Sequence, residues 1–348
     1  MRGDGRPPAR HLARRVRGVV RVTEVLPDFR LVLVGYGRIA EVLYGPELVS
    51  IQDRVTVVEL SADRRAAAAR ALPEAALLNA LDDLPPAAGD AVALNLVPGP
   101  RHAAVTERLL SLGHHVLSEK PAAPTAGRWL ELVALAERSG RALAAAPVTA
   151  YFPGVETLVK QVRAGGIGVP GEVHGAFLAA GPARRGYIDA SRAWFFGAES
   201  CVIRDLGPYV VAPMVRLLGR PDQFAWHRNG VRLPVPVRPV GAVIPVYGNA
   251  AVGVGRWGDV IGRIEVAYRP WLPRVEASMT AVGSTGELSF DLDDPPLPDR
   301  PGREKANGAF DLMRRVMADP VFRAAHVADV ATTLEIIDSL GQAQEERT

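Results

Sequence analysis

A short all-apolar run, Leu31 to Val34, enters Gly35-Tyr36-Gly37-Arg38-Ile39-Ala40 and passes directly into the helix-compatible Glu41-Val42-Leu43. A strand, a G-x-G-x-x-A turn and a helix start in that order admit few folds. Glycine at Gly35 permits the tight turn, glycine at Gly37 lets a pyrophosphate approach the backbone, and Ala40 keeps the helix close to the strand. Phosphates would then meet the free N–H groups and positive dipole end of the helix, so Tyr36, Arg38 and Ile39 are candidate cofactor-binding positions with the two glycines. A second apolar run, Val55-Thr56-Val57-Val58, ends in Glu59, 22 positions after Gly37. That is close to the interval of about 20 residues at which an acid meets the adenosine ribose hydroxyls. Glu59 would repel a 2′-phosphate and so favours NAD, whereas Arg64 and Arg65 could clamp one and turn the choice to NADP.

Strand and helix signals alternate beyond this turn. A helix is expected over Asp63 to Leu72, where alanine and arginine dominate. Asp90 to Leu96 holds an apolar run, Ala91 to Leu94, that does not alternate, the pattern of a strand buried on both faces. The turn Val97-Pro98-Gly99-Pro100, a helix from His102 to Leu112, a strand from His115, a helix from Ala126 to Ser139 and a strand over Ala142 to Ala146 complete the series. The expected fold class is α/β, with residues 29–150 forming a doubly wound parallel sheet. His115-Val116-Leu117 runs into Ser118-Glu119-Lys120-Pro121. A lysine delivered by a strand terminus and followed by a rigid proline is a cation with a fixed address.

The chain has 348 residues, more than the roughly 250–300 at which a single core stops growing, so a second domain over residues 151–348 is expected. Helices are expected at Val155 to Arg163 and Gly207 to Leu218, and short strands at His174 to Leu178, Ala250 to Gly255, Gly262 to Tyr268, Glu276 to Val282 and Glu287 to Leu292. Their Gly and Pro punctuation suits a mostly antiparallel sheet. Asp293 to Gly302 reads as a loop, and Val327 to Glu346 as a final helix that packs back on the core.

Basicity is concentrated at the front. Residues 1 to 30 hold eight arginines against Asp4, Glu24 and Asp28, while the net charge of the whole chain is only +3. Residues 1–28 therefore read as a disordered or loosely attached basic extension, and the body offers no nucleic-acid face. Arginines interrupt any signal-peptide core there, and no apolar run reaches the roughly 18 residues of a membrane span. The one cysteine, Cys201, excludes an intrachain disulfide and a cysteine-rich metal site, and no metal is expected. A cytoplasmic location follows as the expectation. Only three of the 41 basic residues are lysine: Lys120, Lys160 and Lys305.

From about residue 29 onward the sequence resembles the Gfo/Idh/MocA family of sugar and cyclitol oxidoreductases. The segments that carry the resemblance are Gly35 to Ala40, Asp90 to His102, the Glu119-Lys120-Pro121 motif and Asp205-Leu206-Gly207-Pro208-Tyr209, with Gly283 to Leu288 resembling a hairpin of the family's C-terminal sheet. The resemblance implies a Rossmann domain that holds NAD or NADP, through Leu96, Pro98, Glu119 and Lys120 as well as the first turn. It also implies an α/β domain whose open sheet serves as a homo-oligomer face, and a small-molecule substrate in the cleft between the two. The cyclitol and sugar chemistry of the family puts Lys120, Asp205 and Tyr209 at the substrate, and Pro121 often follows a cis bond there.

Hydride transfer to or from a sugar carbon needs a proton to reach or leave the adjoining oxygen. Tyr209 is the candidate acid/base. Free tyrosine has a pKa of about 10 and needs a nearby cation, for which Lys120 is available. Asp205, four residues before Tyr209, could bind a substrate hydroxyl, orient Lys120 or cap the helix that begins near Gly207. Trp194, in Trp194-Phe195-Phe196, is a candidate sugar-packing residue, and His102, His114 and His115 are read as structural. Three departures from the family pattern bear on the substrate: Ala212 stands where an acid often lies, Val148-Thr149-Ala150-Tyr151 replaces an N-x-R segment, and Ser200-Cys201-Val202 replaces a glycine triplet. Reduction of a C=N bond in a biosynthetic intermediate, or a nucleotide-binding scaffold without catalysis, are the alternatives these departures leave open.

Overall fold

The computed structural model describes residues 13–15, 29–181, 201–229, 232–237, 242–247, 249–292 and 303–345. Six strands form a wholly parallel sheet in the spatial order Ala76–Leu78, Val55–Val58, Arg30–Val34, Ala91–Asn95, His115–Ser118, Leu143–Ala145. By order of appearance this is 3-2-1-4-5-6, the doubly wound arrangement, with its switch point between Arg30–Val34 and Ala91–Asn95. Continuous apolar strands bury both faces. Leu31, Leu33, Val57 and Leu94 pack on one side with Tyr44, Leu48 and Phe310, while Val32, Val34, Ala93 and Val116 pack on the other with Leu109, Trp129 and Leu132.

The second sheet has seven strands in the order Ala13–Arg15, Gly286–Asp291, Glu276–Gly283, Pro170–Ala179, Val260–Tyr268, Ala250–Trp257, Gln223–Arg228. Pairing is antiparallel except at Ala13–Arg15 with Glu287–Ser289 and at Pro170–Ala179 with Val260–Tyr268. Ala13–Arg15 thus place one short strand of the basic extension on a sheet edge. Alternation along Val260–Tyr268 buries Ile264 and Val266 under the helices Pro153–Arg163 and Pro208–Leu218. The opposite face carries Val254 and Ile261, both exposed.

Two helices close the structure, the expected final one and an unexpected one before it. Arg303–Ala318 was hidden behind a segment read as loop, and Pro320–Glu345 begins seven residues earlier than the last helical signal. Phe310 and Met313 of the former join the core of the parallel sheet, whereas Ile336 and Ile337 of the latter join the core of the second sheet. The C-terminal helices therefore pin the two sheets together and bound a cleft at the C-terminal edge of the parallel strands. Among the described residues no helix is long and apolar enough to cross a membrane.

Candidate active site

The glycine turn follows Arg30–Val34 at the switch point. Gly35 has φ of +92°, and a Cβ there would lie 3.1 Å from the backbone of Leu96 and Val97. Only glycine meets both demands. Among the described residues a Cβ at Gly37 would meet nothing within 4 Å, which leaves room there for an incoming group. The helix after the turn widens into a π-helical turn over Ala40–Tyr44. The side chain of Tyr36, a candidate cofactor contact, instead turns into the core at 2% exposure, so only its backbone faces the turn.

Glu59 stands at the end of Val55–Val58, yet its carboxylate oxygens are already engaged. The N–H of Tyr36 donates to Oε2 (2.7 Å) and the N–H of Ser61 to Oε1 (2.8 Å). The acid therefore also braces the glycine turn, a role its spacing from Gly37 did not reveal. Ser61 caps the helix Ala62–Ala71 through the N–H of Arg64. The Arg65 guanidinium donates to the carbonyls of Glu59 and Leu60, both at 2.7 Å, which commits that side chain to the backbone.

Two strands away on the other side of the turn, His115–Ser118 delivers Glu119 and Lys120, and the Lys120–Pro121 peptide is cis. The Lys120 Nζ donates to the Asp205 carboxylate (2.8 Å) and carbonyl (2.6 Å). Lys120 and Asp205 side chains are only 12% and 8% exposed. Desolvation disfavours the ammonium, but Asp205 and its neighbours outweigh it and hold the Lys120 pKa above its usual value. Asp205 lies inside the short helix Val202–Leu206, not at the start of Pro208–Leu218, where Gly207 is the cap residue. It is a partner of Lys120 and does not cap the helix. Its second oxygen accepts the Tyr268 hydroxyl at 2.8 Å.

Tyr209 is half-buried and stacks on Phe177, with ring centroids 4.8 Å apart and planes inclined by 18°. The Lys120 ammonium lies 4.8 Å from the ring centroid, over the ring face rather than against the hydroxyl. That hydroxyl makes no hydrogen bond among the described residues. Lys120, Asp205 and Tyr209 are thus one constellation, and Tyr268 and Phe177 are members that sequence reasoning missed. Trp194, Phe195 and Phe196 lie outside the described residues, as do residues 1–12, 16–28 and 293–302.

The largest omission is Lys305, on the helix Arg303–Ala318. Its Nζ is 3.3 Å from Glu119 Oε1 and 5.8 Å from the Tyr209 ring centroid. Two of the three lysines of the chain meet here, and their scarcity was the one available signal. Burial penalises the Glu119 carboxylate, yet Lys305 and then Lys120 overcome this and hold its pKa below the usual range.

The neighbouring loops are tied together by histidines. The His102 ring spans the carbonyls of Pro121 (2.8 Å) and Val97 (2.7 Å), joining the Lys120 loop to the third-strand turn that carries Leu96 and Pro98. His115 Nδ1 accepts the Ala142 N–H. His326 Nε2 accepts the Ala145 N–H at 3.0 Å, so its Nδ1 carries the proton and donates to the Tyr151 hydroxyl at 2.5 Å. Among the described residues no group of three or more His, Cys, Asp or Glu side chains could hold a metal ion.

A doubly wound sheet with this glycine turn, and a buried lysine and a tyrosine at its C-terminal edge, define an NAD(P)-dependent oxidoreductase. Residues 29–146 match the Gfo/Idh/MocA family model, described as an oxidoreductase family with an NAD-binding Rossmann fold. No curated protein matches the sequence. Solved structures share the fold over nearly the whole chain. GenD2 from gentamicin A biosynthesis, in complex with NAD, is 18% identical with a TM-score of 0.69, covering 95% of this chain and 98% of its own. KijD10, a 3-ketoreductase from Actinomadura kijaniata in complex with TDP-benzene and NADP, is 16% identical with a TM-score of 0.68, covering 90% and 96%. A levoglucosan dehydrogenase in complex with NADH and levoglucosan is 15% identical with a TM-score of 0.71, covering 92% and 98%.

Proposed function

We propose that this oxidoreductase interconverts a hydroxyl and a ketone on a sugar, sugar nucleotide or cyclitol, with Lys120, Asp205 and Tyr209 as its working residues. The observation that carries the reading is a buried ammonium, fixed by Asp205, beside a tyrosine whose hydroxyl is free among the described residues. The dinucleotide fits the residues present: Gly37 leaves open the space that a Cβ would fill, and Gly35 supplies the turn. When bound, it supplies or accepts the hydride. Glu59 lies one strand to one side of the turn and Glu119 two strands to the other, which supports adenosine at the former and nicotinamide at the latter. Glu59 favours NAD over NADP, since an unesterified 2′-hydroxyl can donate to a carboxylate that would repel a phosphate.

In the reducing direction Tyr209 donates its proton to the nascent alkoxide, and the Lys120 ammonium stabilises the charge that develops there. Asp205 holds Lys120 in place and in its charged form, while Tyr268 fixes the second Asp205 oxygen. Neighbours that include a 3-ketoreductase and a levoglucosan dehydrogenase support this substrate class. The open face bearing Val254 and Ile261 is the proposed contact between copies of the chain, and a monomer mass by light scattering would refute it. The substrate class is tested by steady-state turnover on a panel of keto-sugars, keto-cyclitols and cyclic imines with NADH and NADPH. Turnover on a keto-sugar or keto-cyclitol that Lys120→Met abolishes supports the reading. Turnover on imines alone, or cofactor binding with no turnover on any substrate, overturns it.

A further inference from the structure

Glu119 is 7% exposed and its carboxylate has two contacts from different parts of the chain. The Lys120 N–H donates to Oε2 at 3.2 Å, and the Lys305 ammonium stands 3.3 Å from Oε1. Lys305 is itself 15% exposed and arrives on the helix Arg303–Ala318, which packs through Phe310 against Tyr44 of the dinucleotide-binding helix. The other groups facing Glu119 are the Lys120 ammonium, His102 from the third-strand turn and the buried hydroxyl of Tyr44, which has no hydrogen-bond partner among the described residues. Burial keeps His102 below the ordinary histidine pKa, so it adds little positive charge near neutrality. Lys120 is already committed to Asp205. Lys305 is therefore the cation on which the Glu119 charge depends most.

We propose that Lys305 is a positioning residue of the dinucleotide site, holding Glu119 ionised and aimed as the acceptor for the hydroxyls of the nicotinamide ribose. This rests on the reading of the cleft as a dinucleotide site. An ionised carboxylate accepts two ribose hydroxyls, whereas a protonated one presents an O–H that competes with them. Without Lys305 the burial of Glu119 is opposed only by Lys120 and one backbone N–H, and the acid takes up a proton at higher pH. A cofactor interaction that is flat with pH in the native enzyme would then become pH-dependent. The helix Arg303–Ala318, which lies far in sequence from the glycine turn, would by this route control cofactor affinity.

The test is NADH affinity from fluorescence enhancement between pH 6 and 8.5 for the wild type, Lys305→Met, Lys305→Arg and Lys305→Met/Glu119→Gln. Wild type and Lys305→Arg are expected to hold one affinity across the range. Lys305→Met is expected to weaken roughly tenfold to a hundredfold, the value of a hydrogen bond to a charged group, and to weaken further as pH falls. The double variant loses the pH dependence. A second readout needs no cofactor: the melting-temperature deficit of Lys305→Met relative to wild type should shrink as pH falls. The native Glu119, with its lowered pKa, stabilises the fold above the unfolded value and loses that stability on acidification, while the unpaired acid is relieved by protonation. If Lys305→Met does not fold, Lys305→Gln replaces it in both arms. Affinity that is unchanged and pH-independent in the folded variant overturns the proposal alone. Failure of the wild type to bind NADH or NADPH overturns the dinucleotide reading beneath it.

Discussion

Removing the Lys120 ammonium should damage the fold as well as the reaction, in an amount the geometry sets. The pair it makes with Asp205 is 2.8 Å long, and the two side chains are 12% and 8% exposed. Breaking a buried pair by deleting one partner costs about 3–5 kcal/mol, because the remaining charge is stranded. Asp205 retains the Tyr268 hydroxyl at 2.8 Å, so Lys120→Met belongs at the lower end, about 3 kcal/mol. Asp205→Asn should cost a similar amount by stranding Lys120. The double variant Lys120→Met/Asp205→Asn strands no charge and should cost about 1 kcal/mol, the net worth of the lost hydrogen bonds. The two single costs then exceed the double by several kcal/mol, a coupling far outside the few tenths expected of independent sites. Urea unfolding followed by circular dichroism and tryptophan fluorescence measures this, provided the two probes coincide. All three variants should lack turnover, so recovered stability without recovered activity separates the two roles of the lysine. Additive single costs, or a Lys120→Met protein as stable as wild type, would refute the buried pair.

The two glycines of the turn should fail differently. Gly35→Ala faces a φ of +92° and backbone atoms at 3.1 Å, so it should lose at least about 1–2 kcal/mol of stability. Gly37→Val should fold normally by circular dichroism and melting, because its Cβ meets open space, yet lose NADH binding. Tyr209→Phe keeps the stack on Phe177 and should lower kcat by roughly 10²- to 10⁴-fold with little change in KM, as loss of general acid catalysis does. His326 should set part of the acid limit of the fold. Its pKa is pulled down to about 3, chiefly by burial and then by Arg216 and Arg315, so the neutral ring stabilises the fold above the ordinary histidine value of about 6.5. That stability is lost as pH falls from about 6.5 towards 3, and at pH 4.5 the loss is on the order of 3 kcal/mol. A His326→Gln variant should show a flatter acid limb in melting temperature against pH.

The parallel half was legible because each element carries its own local signal. Continuous apolar strands, a glycine turn and alanine-rich helical stretches need no distant partner to be recognised. Lys120, Asp205 and Tyr209 were legible as motifs, though their contacts were not: Lys120 lies over the tyrosine ring, and Asp205 pairs with the lysine and does not cap a helix. Lys305 was hidden because its helix holds Asn307 and Gly308, weak helix formers, and follows a Pro/Asp-rich stretch. Packing overrides that propensity, since Phe310, Leu312, Met313 and Val316 of this helix are fully buried. Tyr268 and Phe177 end or occupy strands whose alternation marks burial but not which partner is met. The brace from Glu59 to Tyr36 and Ser61 depends on the approach of two loops, which no spacing in the chain encodes.

The proposed function requires a nicotinamide dinucleotide at the C-terminal edge of the parallel sheet. Titration of the purified protein with NADH and with NADPH, followed by nicotinamide fluorescence, tests this directly. Saturable binding that Gly37→Val abolishes is expected, with NADH held more tightly than NADPH if Glu59 meets the adenosine ribose as proposed. Absence of binding to either dinucleotide by a folded protein would contradict it.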